Sequence, residues 1–401
     1  GAHEQSHIQY SSGSTRYPLG IEISQAALMA NARSVATDAL KLSREERVAS
    51  WLPFYHDMGL IGCMIIPVTC QFTVDYMHTD AFARRPLQWL KLISENRCTI
   101  SFAPTFGYEL CIRRAERARD MGLDLSCWRV AGVGGEMIQP CILDNFVEVF
   151  GQYGFDENAF EPSYGLAEAT LAFSFARLKR GVRRDCVDRD AMSEHAYAAP
   201  ADHDSVNIRN FASCGQPMNG YKVEIRDAMG KPLPERYLGR VYIKAPSLMN
   251  AYFQNPEATR ERIDAHGWLD TGDMGYMADG ELFITGRQKD LIIVNGRNIW
   301  PQDLEWEAED GVDDVRPRDT AAFSIDGENG REIPVILVQC RMQDEAGRKK
   351  LRNEVHATLF RNNGIDCRVV LIPHNSLPYT TSGKLSRAKA KKAYLEGAFF
   401  Y

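Results

Sequence analysis

The residues with the richest chemical potential occur as short polar clusters set between apolar runs. Tyr10 to Gly20 reads YSSGSTRYPLG and gathers the hydroxyls of Ser11, Ser12, Ser14 and Thr15 around Gly13. Small hydroxyls and backbone N–H groups on a glycine turn suit phosphate oxygens. The lysine of a GxxxxGK[ST] loop is absent, and a Ser/Gly run is equally at home in a linker. Pro162 to Leu171, PSYGLAEATL, sets Tyr164 beside Gly165 and Glu168. Such a tyrosine can stack on a flat ring, the glycine admits close backbone approach, and the glutamate can hold a divalent cation. The same stretch also reads as a strand-to-helix turn with a first-turn carboxylate.

Further along, WLDTGDMGY (Trp268 to Tyr276) puts Asp273 on a glycine-flanked turn. A carboxylate there suits a ribose diol, or simply an Asx-turn. Arg287 and Lys289 lie in ITGRQKDLIIVNGRN, and Lys384 sits on the glycine loop of LPYTTSGKLSR. An exposed lysine is otherwise a solvated charge. In LPFYHDMGLIG, His56 and Asp57 open a helix, as ligand contacts or as a core histidine and a cap. The apolar stretch Phe102 to Cys111, with Pro104, Phe106 and Gly107 inside it, offers a lining for an alkyl chain or ordinary core packing.

Elements must position these clusters. Ser24 is an N-cap for a helix over Gln25 to Leu40, and Val48 to Leu52 reads as a strand. Helices over Pro86 to Asn96, Pro104 to about Arg119 and Ile138 to Phe150 alternate with strands over Cys98 to Phe102 and Trp128 to Val133. This alternation predicts an α/β fold with ligands at the carboxyl ends of its strands. Residues 177–212 are polar and predict a long insertion or surface flap, and short strands with turns follow. Residues 282–401 predict a small α+β domain. Its strands fall near Leu291 to Val294, Thr320 to Ile325, Pro334 to Cys340 and Arg368 to Ile372, with a helix over Asp344 to Asn362.

Composition narrows the function classes. The 401 residues allow two or three domains, and 44% hydrophobic with 25% charged residues is ordinary for a globular chain. A formal charge of -6 gives little attraction for a polyphosphate backbone, so nucleic acid is not an expected partner. No run reaches the roughly 18 apolar residues of a membrane span. Ten cysteines lack any CxxC pair, which predicts free buried thiols and a cytoplasmic location rather than a disulfide framework or a zinc site. Gly1-Ala2-His3 reads as an expression scar or an internal start, without a signal peptide.

Taken in order, these motifs resemble the adenylate-forming superfamily of acyl-CoA ligases, nonribosomal-peptide adenylation domains and luciferases, from about Ile8 to Arg387. The details are most similar to fatty acyl-AMP ligases. Arg16 and Leu19 occupy slots where CoA ligases usually carry a glycine and a lysine, and WLPFYHDMGLIG, APTFGYELC, PSYGLAEATL and GRNIWPQDLE follow the same branch. The resemblance implies a large domain of layered α/β sheets with a small β-barrel-like subdomain over residues 1–286. It also implies a small mobile α+β domain over residues 287–401. The polar stretch near residues 172–212 falls where that branch carries an insertion, which in the family limits rotation of the small domain and disfavours CoA. The family's phosphate loop normally follows a whole N-terminal subdomain. Here it begins within the first residues, so that subdomain is expected to be missing and activity of the chain alone is in question.

The resemblance also assigns roles. ATP and a fatty acid would give acyl-AMP and pyrophosphate, and the acyl group would pass to the phosphopantetheine of an acyl carrier protein or synthase carrier domain. Ser11, Ser12, Gly13, Ser14 and Thr15 would hold phosphates, and Glu168 would bind Mg²⁺. Tyr164 would stack on adenine within Ser163, Gly165, Leu166 and Ala167, with Gly135 and Glu136 lining the pocket. Asp273 would take the ribose hydroxyls with support from Arg287, Lys384 would bridge carboxylate and α-phosphate, and Lys289 would mark the hinge. His56, Phe102, Pro104, Phe106 and Gly107 would meet the acyl chain. The alternatives are an acyl- or aryl-CoA ligase, distinguished by its product, and a non-catalytic AMP- or acyl-binding paralogue. The presence of Glu168, Asp273, Arg287 and Lys384 argues against the paralogue.

Overall fold

The computed structural model describes all residues except 12–17, 203–204, 206, 295, 328–331, 381–382 and 400–401. Two compact units emerge. The first contains residues 1–11, 18–189 and 197–285, and the second contains residues 190–196 and 286–401.

The first unit is organised by a seven-stranded sheet in the order Gln216–Pro217, Ala172–Phe175, Phe160–Gly165, Val130–Val133, Ile100–Ala103, Arg47–Ser50 and Thr73–Tyr76. The last five of these are mutually parallel, with Val48 opposite Ile100, Ile100 opposite Val130 and Ala131 opposite Phe160. Val130–Val133 is buried throughout, as a central parallel strand covered on both faces must be. Helices Leu87–Asn96, Thr105–Ile112 and Pro140–Phe150 bring Trp89, Tyr108 and Phe146 against Trp128 and Phe160, all at most 2% exposed. Trp89–Trp128 at 5.2 Å and Tyr108–Phe146 at 5.1 Å meet edge to face, while Tyr108 and Trp128 are stacked at 6.1 Å. Burial of each such ring is worth about 2–3 kcal/mol, which makes this cluster the rigid floor of the sheet.

Two smaller sheets complete the unit. Strand Gly20–Ser24 lies between Gln5–Tyr10 and Ala251–Tyr252, and Lys222–Arg226, Gly239–Lys244, Leu269–Ala278 and Glu281–Arg287 form a four-stranded sheet. Within residues 177–212 the chain forms an antiparallel pair, Arg184–Asp188 with Ile208–Ala212. Asp185 fixes that pair to the four-stranded sheet. It accepts from the Tyr276 hydroxyl at 2.8 Å and pairs with Arg236 at 3.0 Å.

In the second unit, strands Thr320–Asp326, Glu332–Cys340 and Arg368–Pro373 form a sheet with one antiparallel and one parallel pairing. Alternate residues serve opposite faces. Ile336 and Val338 pack with Leu351, Val355 and Leu359 of helix Glu345–Asn363, while Val335 and Leu337 pack with Ala390 and Tyr394 of helix Arg387–Leu395.

The structure departs from the sequence reading at several points. The helix expected from Pro104 to Arg119 stops at Ile112 and continues as a 3₁₀ turn over Ala115–Ala118. Arg113, Arg114, Glu116, Arg117 and Arg119 leave no continuous apolar stripe to bury. The helix from Gln25 is α-helical to Ser34 and widens to a π turn over Val35–Ala39. Asp273 lies within strand Leu269–Ala278 rather than on a turn, although Gly272 keeps a positive φ of 74°. Among the described residues none of the ten cysteines forms a disulfide; six are buried as expected, whereas Cys70, Cys127 and Cys340 are partly exposed and Cys141 is exposed. No helix among those residues is long and apolar enough to cross a membrane.

Candidate functional site

Three of the candidate segments follow the carboxyl ends of adjacent parallel strands. Ala103 leads into Pro104, Phe106 and Gly107; Val133 leads into Gly135 and Glu136; Phe160–Gly165 leads through Leu166 into Ala167 and Glu168. The Phe106 N–H donates to Glu136 Oε1 at 2.9 Å, which ties the second of these loops to the start of helix Thr105–Ile112. Phe102 lies flat against Gly132, where an added Cβ would come within 2.0 Å of its ring. Gly107 packs on Trp51, which stacks on Phe82 at 3.8 Å.

Beyond strand Arg47–Ser50, His56 and Asp57 precede a π turn over Met58–Ile65. Asp57 caps it by accepting from the Met58 N–H at 2.7 Å, and its Oδ1 lies 2.7 Å from His56 Nδ1. The capping role is therefore realised.

Tyr164 and Asp273, 109 residues apart, meet directly: the Tyr164 hydroxyl donates to Asp273 Oδ2 at 2.7 Å. Tyr164 is 9% exposed and Asp273 is half-buried. Ser163 turns away and donates to the Val133 carbonyl at 3.2 Å. Gly165 is required where it stands, because a Cβ would lie 1.9 Å from the Leu171 carbonyl oxygen.

Glu168 is on a 3₁₀ turn, Ala167–Ala169, and its Oε1 accepts from the Tyr252 hydroxyl at 2.9 Å. Burial and the adjacent Glu168 carboxylate push the Tyr252 phenol well above its usual range, so it remains a donor. Tyr252 is absent from the sequence reading. Its partner lies 84 positions away, and nothing in MNAYFQNPEAT marks it except an aromatic before an Asn-capped helix.

Of the Ser/Gly loop, Ser11 is described. Its N–H donates to the Leu19 carbonyl at 2.9 Å and its hydroxyl accepts from the Leu19 N–H at 3.2 Å, closing the mouth of the loop. Ser12, Gly13, Ser14 and Thr15 lie outside the described residues. Arg287, Lys289 and Lys384 belong to the second unit. Arg287 and Lys289 are exposed at the 3₁₀ turn Gln288–Asp290 and just before it. Lys384 is half-buried, and its loop is closed by bonds from the Thr380 N–H to the Lys384 carbonyl at 2.8 Å and from the Ser386 N–H to the Pro378 carbonyl at 2.9 Å.

Comparison with known proteins decides the family, because residues 2–253 match the family of AMP-binding enzymes. The chain belongs to that family. It is an ATP-dependent enzyme of the adenylate-forming superfamily, with the mixed α/β fold of adenylation domains. A putative acyl-CoA synthetase of Caulobacter vibrioides is 49% identical over 98% of this chain and 68% of its own length. The medium-chain-fatty-acid–[acyl-carrier-protein] ligase JamA of Moorena producens is 33% identical over 98% of this chain and 68% of its own. A solved structure from work on fatty acyl-adenylate ligases of E. coli and L. pneumophila superposes with a TM-score of 0.93. It is 45% identical and covers 99% of this chain and 71% of that one. The chain thus spans about two thirds of the length of these relatives.

Proposed function

We propose that this AMP-binding enzyme activates a fatty acid as its acyl-adenylate and passes the acyl group to the phosphopantetheine thiol of an acyl carrier protein. The observation that carries the nucleotide half is the bond between Tyr164 and Asp273. It sets an aromatic face and a carboxylate side by side, the pair needed to hold a base and its ribose diol. The fatty acid and the carrier are supported by the likeness to JamA, a fatty-acid–[acyl-carrier-protein] ligase, and the fatty acyl-adenylate by the likeness to fatty acyl-adenylate ligases. The name of the Caulobacter relative favours a second reading, transfer to CoA.

In the proposed reaction a carboxylate oxygen of the acid attacks the α-phosphorus of ATP. The bond from that phosphorus to the bridging oxygen breaks, and pyrophosphate leaves. Both reactants are anions, so positioning and charge neutralisation do most of the work. Tyr164 stacks on adenine, with Gly135, Glu136, Ser163, Gly165, Leu166 and Ala167 around it, and Asp273, supported by Arg287, holds the ribose. Ser11, Ser12, Gly13, Ser14 and Thr15 hold the outer phosphates. Lys384 supplies the cation at the reacting oxygens, and Lys289 serves as hinge. His56, Phe102, Pro104, Phe106 and Gly107 receive the acyl chain.

The donor set fits Mg²⁺. Among the described residues no group of three or more His, Cys, Asp or Glu side chains encloses a metal, whereas Glu168 offers one partly exposed carboxylate. Mg²⁺ commonly takes one or two carboxylates, substrate phosphates and water. When bound it would offset phosphate charge. Glu168 would be its protein ligand.

The test incubates the protein with ATP, Mg²⁺ and a fatty acid, with either CoA or a phosphopantetheinylated carrier protein, and identifies products by mass. Acyl-adenylate with acyl-carrier product is expected; efficient acyl-CoA formation would establish the second reading instead. Lys384→Ala should slow pyrophosphate exchange about 10²- to 10³-fold with nucleotide binding retained.

A further inference from the structure

Resting on the reading of Glu168 as the Mg²⁺ ligand, we infer that residues Ser247 to Phe253 form a positioning strap. In this strap the Tyr252 hydroxyl aims the Glu168 carboxylate and fixes it relative to strand Gly20–Ser24. Four bonds hold the turn that carries Glu168 to this segment. The Ser247 hydroxyl donates to the Ala169 carbonyl at 3.0 Å, and the Thr170 hydroxyl donates to the Ser247 carbonyl at 2.8 Å. The Met249 N–H donates to the Glu168 carbonyl at 2.8 Å, and the Tyr252 hydroxyl donates to Glu168 Oε1 at 2.9 Å. Two bonds hold backbone carbonyls of the turn, a third holds the Thr170 side chain, and the fourth fixes the carboxylate. One oxygen, Oε1, is committed to a protein donor.

The turn is held in a conformation it would not choose. Thr170 has φ 73° and ψ -57°, the γ-turn geometry that is rare and strained, and strained most for a β-branched residue. Thr170 is 1% exposed, so the strain persists because the surroundings over-determine it.

The strap is also bonded to the strand that leaves the Ser/Gly loop. Ala251 and Tyr252 pair with Glu22 and Ile21, the Asn250 N–H donates to the Glu22 carbonyl at 2.9 Å, and the Phe253 N–H donates to the Gly20 carbonyl at 2.7 Å. Gly20 follows Leu19, whose bonds to Ser11 close the loop mouth. One short segment is therefore bonded both to strand Gly20–Ser24, which follows Leu19, and to the Glu168 carboxylate. Tyr252 is a positioning residue in this account, since it acts through Glu168.

The experiment measures ATP affinity by calorimetry in EDTA and in saturating Mn²⁺ or Mg²⁺, and takes the ratio as the gain from metal. Tyr252→Phe keeps the ring that fills the site, which is 3% exposed, and removes only the hydroxyl. It should reduce the metal gain about tenfold or more while leaving the EDTA affinity and the melting temperature near wild type, since outer-shell partners of metal ligands typically carry 10- to 100-fold in affinity. Glu168→Gln should abolish the gain, and adding Tyr252→Phe to it should change nothing further. A Tyr252→Phe protein with the full metal gain would overturn the strap. If that variant melts early, Ser247→Ala, which cuts one backbone tie, decides the matter: a smaller fall in the gain supports the strap, and an unchanged gain overturns it. A wild-type protein that binds ATP with no metal gain would instead overturn the reading of Glu168, and the strap with it.

Discussion

Two glutamates seven positions apart on one strand and turn meet opposite fates. Glu161, in the strand Phe160–Gly165, is 1% exposed, and its Oε1 is buried without a hydrogen-bond partner. Desolvation raises its pKa to about 8, only partly opposed by the positive charge of Arg129. Glu168, just past the strand end, keeps partial exposure and receives a phenol donor on one oxygen. The difference teaches that the strand end is what separates the two chemistries. Inside the sheet a carboxyl has no donor to meet and is held as the neutral acid, whereas the turn opens the side chain to water and to a hydroxyl brought from another element.

The sharpest way to break this comparison is to neutralise the outer carboxylate. Glu168→Gln preserves shape and the Tyr252 contact but removes the charge that a divalent cation requires. Pyrophosphate exchange should fall about 10²- to 10³-fold, in the range of a lost electrostatic contributor. The loss should not be recovered by more fatty acid. A Glu168→Gln enzyme within a factor of two of wild type would place the metal elsewhere and erase the functional contrast between the two glutamates.

A second test extends the comparison to Asp273, which sits within the interior strand Leu269–Ala278 and also accepts from a phenol, that of Tyr164, at 2.7 Å. Asp273→Asn should raise the KM for ATP about tenfold, as expected for weakening a hydrogen bond to a charged acceptor, with a smaller change in kcat. If KM stays constant and kcat falls instead, Asp273 contributes to the reacting geometry rather than to ribose binding.

Much of this arrangement is legible in the chain itself. Trp128 to Val133 reads as a strand ending on Gly134 and Gly135, and a strand forms there over Val130–Val133; Ser24 reads as an N-cap, and its hydroxyl accepts from the Ala27 N–H at 3.1 Å. The placement of loops at strand ends follows from the α/β alternation. What is not legible depends on pairing at a distance. Strand Thr73–Tyr76 is a partly exposed edge that pairs with Arg47–Ser50, and TVDY carries too little hydrophobic pattern to announce it. Gly272 and Gly275 suggest a turn around Asp273. Instead Gly275 serves a close crossing, where a Cβ would lie 2.4 Å from the Phe283 carbonyl oxygen. Tyr252 and Thr170 gain their roles only when residues 168 and 252 are brought together, and no local period encodes that contact.

The smallest effect should come from the inner member of the pair, and it should depend on pH. The folded Glu161 has a pKa near 8, above the ordinary value of 4.5, so the native state binds its proton more tightly than the unfolded chain does. Below about pH 4.5 the group is protonated in both states and has no effect on stability. As pH rises from 4.5 towards 8, the unfolded chain releases a proton that the native state retains, and stability falls through this window; above it the penalty is constant. Glu161→Gln removes the titration while keeping the shape. Its melting temperature should match wild type near pH 4.5 and exceed it by on the order of 5 °C near pH 8, with pyrophosphate exchange unchanged. An equal melting temperature at both pH values would mean that Glu161 has a partner for its charge. In that case the strand interior would be no more hostile to a carboxylate than the turn that carries Glu168.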